Sequence, residues 1–206
     1  MAAGVILDRD GTLVDFVRDA EQGVVTPAFH PDQLRLLPGV LEGLRALRDA
    51  GLQLGIATNQ PDAAKGRVPV EAIERTNRAL VSMLADQGIA VSAFEICLHH
   101  PEGAPGGPPS LIGPCSCRKP KPGMLLSIAE QWGRKPVELW MLGDTAADLG
   151  AALAAGMNCA LLLPVRRCEL CSFAGQAPSG RRANLTSDRF DLLADKLIAA
   201  ERDSAT

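Results

Sequence analysis

Asp8 and Asp10 are the residues of this chain whose spacing says most about chemistry. They stand in Val5-Ile6-Leu7-Asp8-Arg9-Asp10-Gly11-Thr12-Leu13, where three apolar residues read as a short buried strand that Gly11 ends. In extended backbone, residues at i and i+2 point to the same side, so the two carboxylates face one space. One can attack an electrophile while the other moves the leaving group's proton, provided that their environments differ. A strand followed by an Asp-rich turn is the plainer account of the same residues. A calcium loop also begins Asp-x-Asp, but it requires Gly at its sixth position and Glu at its twelfth, where this chain has Leu13 and Asp19.

A second constellation is Cys97-x-His99 with Cys115-x-Cys117. Four soft or borderline ligands in two close pairs meet the requirement of a closed tetrahedral zinc site. The alternative is a set of unrelated buried thiols and a surface histidine. The pairs bracket the Gly/Pro-rich stretch Pro101 to Pro114, which otherwise lacks support, and this favours the metal. With every position filled by protein, such a zinc is structural. His100 faces the other way in this picture. Cys168-x-x-Cys171 offers too few thiols for a zinc site and reads as an incidental pair on a loop, while Cys159 sits in an apolar run as a core thiol.

These residues need a scaffold, and the rest of the chain supplies an alternating one. Strands are expected at Val5–Leu7, Leu52–Ala57, Phe94–Leu98, Leu139–Leu142 and Cys159–Leu163. Helices are expected at Pro38–Ala50, Pro69–Gln87, Met124–Trp132, Ala146–Ala155 and, at the end, within 188–203. The helix at Pro38–Ala50 shows the logic: Val40, Leu41, Leu44 and Leu47 recur at helical spacing and Gly51 caps the end. Alternation of this kind predicts an α/β fold, a doubly wound parallel sheet covered on both faces. Ligands in such sheets bind beyond the carboxyl ends of the strands, and Asp8, Thr58 and Asp144 all fall there. Val14–Leu37 is long for a connection and reads as a flap beside the site. Residues 164–187 carry Arg166, Arg167, Arg181 and Arg182 without periodicity and read as an irregular solvated segment.

At 206 residues the chain has the length of one domain, 1–206, with its zinc loop at 97–117. A formal net charge of −3 leaves no basic footprint for nucleic acid. No apolar run approaches membrane-spanning length and no secretory signal is visible, so a cytoplasmic protein with reduced cysteines is expected. Nothing in the sequence speaks to the oligomeric state.

The chain resembles the haloacid dehalogenase superfamily of aspartate-nucleophile phosphotransferases. The residues that carry the likeness are Asp8-Arg9-Asp10-Gly11-Thr12, Thr58-Asn59-Gln60, Arg118-Lys119-Pro120 and Gly143-Asp144 with Asp148, in that order. The physical roles agree. A phosphoryl group in transfer spreads negative charge over its oxygens, which Lys119 can meet with a point charge, Thr58 with a hydroxyl and Arg118 with a fork. Clustered carboxylates suit Mg²⁺. The resemblance implies Asp8 as nucleophile, Asp10 as general acid and then base, and Thr58 and Lys119 as further catalytic groups. It implies Asn59, Gln60 and Arg118 at the substrate. Mg²⁺ is then held by Asp8, the Asp10 carbonyl and Asp144, with Asp148 in support. A dehalogenase of the same fold has no need of the acid at Asp10.

Cys97-Leu98-His99-His100-Pro101 and Cys115-Ser116-Cys117-Arg118-Lys119-Pro120 narrow the likeness to the capless branch of heptose 1,7-bisphosphate and histidinol-phosphate phosphatases. This implies a small phosphorylated metabolite as substrate, most simply a sugar phosphate. Departures exist. Heptose-type members read Ser-Gly-Ile-Ala-Arg-Gly after Thr-Asn-Gln, whereas here Gln60 is followed by Pro61-Asp62-Ala63-Ala64-Lys65-Gly66, and Thr145 replaces a common Lys. Pro61 therefore predicts a different course for this loop. The length of the flap is closer to the histidinol type. A non-catalytic binding module that retains the fold is the rival from another class. The altered loop and Thr145 are its support, and intact Asp8, Asp10, Lys119 and Asp144 argue against it.

Overall fold

Side chains alternate across every strand of the sheet, and the alternation explains how the layers assemble. The computed structural model describes residues 4–21, 23–163 and 182–203. In chain order these form β1 (Gly4–Leu7), β2 (Val17–Asp19), β3 (Val24–Thr26), α1 (Val40–Asp49), β4 (Gln53–Asn59), α2 (Val70–Asp86) and β5 (Ala93–Cys97). Then follow α3 (Gly123–Gln131), β6 (Leu139–Gly143), α4 (Ala146–Ala155), β7 (Asn158–Leu162), β8 (Leu185–Ser187) and α5 (Phe190–Asp203). Six strands make one sheet in the order β5-β4-β1-β6-β7-β8, with every pairing parallel.

Val5, Leu7, Leu54, Ile56, Trp140 and Leu142 face one side, where α1, α2 and α5 supply Leu44, Leu47, Leu80, Leu84, Phe190 and Leu193. Ile6, Ala57, Leu139 and Met141 face the other, against Met124, Leu125 and Ile128 of α3 and Leu149 and Ala152 of α4. The strands are therefore apolar on both faces, as a covered parallel sheet requires. Each fully buried Leu or Phe here stabilises the fold by about 1.5–3 kcal/mol. No helix among the described residues is long and apolar enough to cross a membrane.

Two segments differ from the sequence-based expectation. Leu185–Ser187, within the stretch read as irregular, is a strand beside β7, with Leu163 N donating to Ser187 O at 2.7 Å. Three residues are too short to display a period, so only the neighbouring strand reveals it. Cys168, Cys171, Arg166, Arg167 and Arg181 lie outside the described residues, and Arg182 is exposed. The flap contains the antiparallel hairpin β2–β3, and its base is tied down: Asp15 N donates to Arg35 O at 2.8 Å and Leu37 N to Leu13 O at 2.9 Å.

The Pro61–Gly66 loop closes in tight turns, with Lys65 N to Pro61 O at 3.0 Å and Gly66 N to Ala63 O at 2.9 Å. It packs backbone to backbone on the Gly/Pro-rich segment. Ala104 N donates to Ala64 O at 3.2 Å, and a Cβ at Gly107 would lie 2.0 Å from that same oxygen. Only glycine permits this approach.

Candidate active site and metal centre

The ends of β1, β4 and β6 bring the expected residues together. Asp8 follows β1 and its N–H is held by Leu142 O of β6 at 2.9 Å. Lys119 arrives from the loop before α3 and is wholly enclosed. Its Nζ donates to Asp8 Oδ1 at 2.8 Å, to Asp148 Oδ1 at 2.6 Å and to Ala57 O at 2.7 Å, which uses all three of its N–H groups. Burial pushes the Asp8 carboxyl up to about 7, although Lys119 pulls against it. Burial also disfavours the Lys119 charge, but Asp148 and Asp8 more than offset it and hold the ammonium above its ordinary range. The Thr58 hydroxyl is buried with no partner among the described residues, so it can donate to a group that enters the site.

Asp10 has a different environment. Its Oδ1 accepts from Arg9 Nε at 3.0 Å and from Nη2 at 2.8 Å, while Oδ2 is buried with no partner among the described residues. Burial raises its pKa, with Arg9 opposing. Two carboxylates two residues apart are thus set up differently, one beside an ammonium and one beside a guanidinium, as a nucleophile and a proton carrier require.

Carboxylate oxygens of Asp8, Asp144 and Asp148 lie within 4.8 Å of one another. Both oxygens of Asp148 are engaged: Oδ1 by Lys119, and Oδ2 by the Thr145 N–H at 2.9 Å and the Thr145 hydroxyl at 2.6 Å. Asp8 and Asp144 are therefore the better placed to hold a hard cation, with Asp148 fixing their surroundings. Thr12 Oγ1 donates to Asp144 Oδ1 at 3.2 Å. Gly11, at φ +87°, lies so close that a Cβ there would come within 2.2 Å of Asp144 Oδ2.

Asn59 and Gln60, expected at the substrate, turn elsewhere. Asn59 clamps the Lys119 backbone, donating to Lys119 O and accepting from Lys119 N, both at 3.0 Å. Gln60 is fully buried beside Arg9 and Asn77, and with its oxygen toward the guanidinium it accepts from Arg9 Nη1 and Nη2 at 2.5 and 2.7 Å. A carboxamide beside a buried cation is drawn inward because it adds an acceptor to those that Asp10, Asn77 and the Ala28 carbonyl already offer the guanidinium. Arg118 is half-buried and its Nη1 donates to His99 O at 3.4 Å. Arg9, Asn77 and Thr12 were not singled out from the sequence. The available signal was alternation, which sends a charged residue between Asp8 and Asp10 away from their side and toward the protein interior.

The Cys/His cluster forms as expected. Cys97 Sγ lies 3.8 Å from Cys115 Sγ and 2.8 Å from Cys117 Sγ, and His99 Nδ1 is 3.9 Å from Cys97 Sγ and 3.4 Å from Cys117 Sγ. The Cys97–Cys115 separation matches the roughly 3.8 Å edge of a tetrahedral site with metal–sulfur bonds of ~2.3 Å, whereas Cys117 lies closer to Cys97 than such an edge. Burial raises the Cys97 thiol. At Cys115 burial is outweighed by the Arg118 backbone N–H and by Cys117, and the thiol is lowered toward thiolate. These four residues can hold a metal ion. His100 stays outside the cluster, its Nδ1 accepting from the backbone N–H groups of Glu102 at 3.3 Å and Gly103 at 3.0 Å.

Comparison with known proteins agrees with this geometry. The family model of haloacid dehalogenase-like hydrolases matches residues 20–156. The D-glycero-beta-D-manno-heptose-1,7-bisphosphate 7-phosphatase of Pseudomonas putida is 34% identical over 152 residues, covering 74% of this chain and 77% of its own. The enzyme of the same name from Escherichia coli strain K12 is 31% identical over 159 residues, covering 77% and 78%. The crystal structure of D,D-heptose 1,7-bisphosphate phosphatase from B. bronchiseptica, complexed with magnesium and phosphate, superposes with a TM-score of 0.72 at 29% identity. It covers 96% of this chain and 99% of that one. With a parallel α/β sheet, paired aspartates beyond β1 and a lysine bridging Asp8 to Asp148, the chain belongs to the haloacid dehalogenase-like hydrolases, as one of their phosphatases.

Proposed function

We propose that this phosphatase is a Mg²⁺-dependent phosphomonoester hydrolase for a small sugar phosphate of the heptose 1,7-bisphosphate type, working through an aspartyl phosphate on Asp8. The observation that carries it is the buried Asp8 carboxylate beside the Lys119 ammonium, with the unpartnered Thr58 hydroxyl nearby at the end of β4. An Asp8 oxygen attacks phosphorus. Asp10 gives its proton to the sugar oxygen as the P–O bond breaks. Asp10 then takes a proton from the water that attacks the aspartyl phosphate, releasing phosphate and restoring Asp8. Lys119 and Thr58 hold the equatorial oxygens through both steps. Asp8, the Asp10 carbonyl and Asp144 would hold Mg²⁺, with Asp148 in support, and the cation would neutralise phosphate charge. Cys97, His99, Cys115 and Cys117 would hold a structural Zn²⁺ that anchors Arg118 beside Lys119.

The choice of substrate rests on charge at the mouth of the site. Partial burial and the nearby cations Lys65 and Arg118 hold His100 below its usual pKa, with the carboxylates of Glu102 and Asp62 opposing them more weakly. A second phosphate suits such surroundings better than the cationic amine of histidinol phosphate. The margin is about tenfold, roughly 1.4 kcal/mol, since partly exposed charge contacts are worth little more. Phosphate release from heptose 1,7-bisphosphate, histidinol phosphate and p-nitrophenyl phosphate, with and without Mg²⁺, tests the reading. Asp8→Asn should abolish turnover of all three, and full activity in that variant would sink the aspartyl-phosphate route. A higher kcat/KM for histidinol phosphate would move the substrate to that class.

A further inference from the structure

We infer that Arg9 is a positioning residue for Asp10, fixing which carboxylate oxygen exchanges the proton with the leaving group. The inference rests on the phosphatase reading above and adds a residue to it. Arg9 is fully enclosed, and a buried guanidinium is costly unless each N–H finds an acceptor. Here the acceptors are supplied from four places. Nε and Nη2 donate to Asp10 Oδ1 at 3.0 and 2.8 Å, Nη1 to Asn77 Oδ1 at 2.7 Å and Nη2 to Ala28 O at 3.3 Å. With its oxygen turned toward the guanidinium, Gln60 closes the ring at 2.5 and 2.7 Å.

The two contacts to Asp10 converge on one oxygen instead of spreading over both, as a fork-to-fork pair would. That asymmetry has a chemical consequence. An oxygen already accepting two N–H bonds is the poorer seat for a proton, so a proton on Asp10 resides on Oδ2, which has no partner among the described residues. In the forward step the Oδ2–H bond breaks as the leaving oxygen gains the proton. In the return step Oδ2 takes a proton from the attacking water. Asn77 of α2 and Gln60 after β4 hold the guanidinium in register. The Ala28 carbonyl ties it to the segment just after β3, so the flap and the proton carrier share one anchor. A lysine at this place offers a single point charge and cannot span Asp10, Asn77 and Gln60 together.

The test compares two aryl phosphates in wild type, Arg9→Lys and Asn77→Ala, with Mg²⁺ present. Nitrophenolate departs from p-nitrophenyl phosphate without needing a proton, whereas the phenolate of phenyl phosphate benefits from one. Single-turnover cleavage of phenyl phosphate should fall about 30-fold or more in Arg9→Lys, within the ~10²–10⁴ that a proton carrier supplies. The nitrophenolate burst should stay within about threefold, and KM for both esters should change little. Asn77→Ala, which loosens the guanidinium but keeps both Asp10 contacts, should show the same pattern at about three- to tenfold, and it decides the matter if Arg9→Lys does not fold. Equal losses on the two esters, or no loss in a folded variant, would overturn the positioning role. A wild type inactive on both esters would instead defeat the phosphatase reading itself.

Discussion

Asn59 and Lys119 are joined by a reciprocal pair of hydrogen bonds, side chain to backbone in both directions, each 3.0 Å long. The contact fixes the loop before α3 to the end of β4, across 60 residues of sequence. It also sets the height at which the Lys119 ammonium meets Asp8 and Asp148. Asn59 thus turns its carboxamide to the lysine loop, while the neighbouring Thr58 hydroxyl is buried without a partner among the described residues.

Replacing Asn59 by Ala removes both bonds. At about 1 kcal/mol each, the fold should lose about 2 kcal/mol in urea denaturation. Turnover should fall further than KM changes, because Lys119 is displaced while the residues at the mouth are untouched. Asn59→Asp, which keeps the acceptor for Lys119 N, should be the milder change. Kinetics of phosphate release alongside denaturation curves check both variants.

Lys119→Met leaves Asp8 and Asp148 buried without their cation. Breaking a buried pair from one side costs about 3–5 kcal/mol, and activity should vanish with it. Adding Asp148→Leu removes one uncompensated charge, so the double variant should recover part of the stability and none of the activity. A double variant less stable than Lys119→Met would contradict the electrostatic account.

Burial holds the Asp8 carboxyl at about 7 even beside the Lys119 ammonium. A carboxyl raised on folding keeps a proton that the unfolded chain gives up from about pH 4 upward. Its contribution to stability therefore falls as pH rises from about 4 through 7. Magnesium must displace that proton, so apparent Mg²⁺ affinity should rise roughly tenfold between pH 6 and pH 8. Calorimetric titration in buffers of different ionisation heat should register proton release near pH 6 and little at pH 8.

Purified protein should contain about one Zn per chain. Cys117→Ser should lose the metal and melt at lower temperature, since binding of a structural metal adds directly to folding free energy. It should also narrow the preference for bisphosphate over p-nitrophenyl phosphate, because Arg118 follows Cys117 and its Nη1 donates to His99 O at 3.4 Å. Stoichiometric zinc in a variant lacking Cys97 and Cys117 would exclude this cluster as the site.

Much of this protein was legible in its sequence because the relevant signals are local. Runs such as Val5-Ile6-Leu7, helical spacing such as Val40, Leu44 and Leu47, and caps such as Gly51 report burial and turns within a few residues, and the observed strands and helices follow them. Asp8, Thr58 and Asp144 were placed by the rule that parallel strands end at one edge, and Cys97, His99, Cys115 and Cys117 by pairwise spacing. The tertiary structure alone decided the partners. Arg9 meets Asn77 across 68 residues, Asn59 turns to a lysine loop, Gln60 goes inward and Leu185–Ser187 becomes a strand only because β7 lies beside it. A buried polar group takes whatever acceptor the packed helices bring near it, and that identity is a property of the assembled layers, not of the neighbouring residues in the chain.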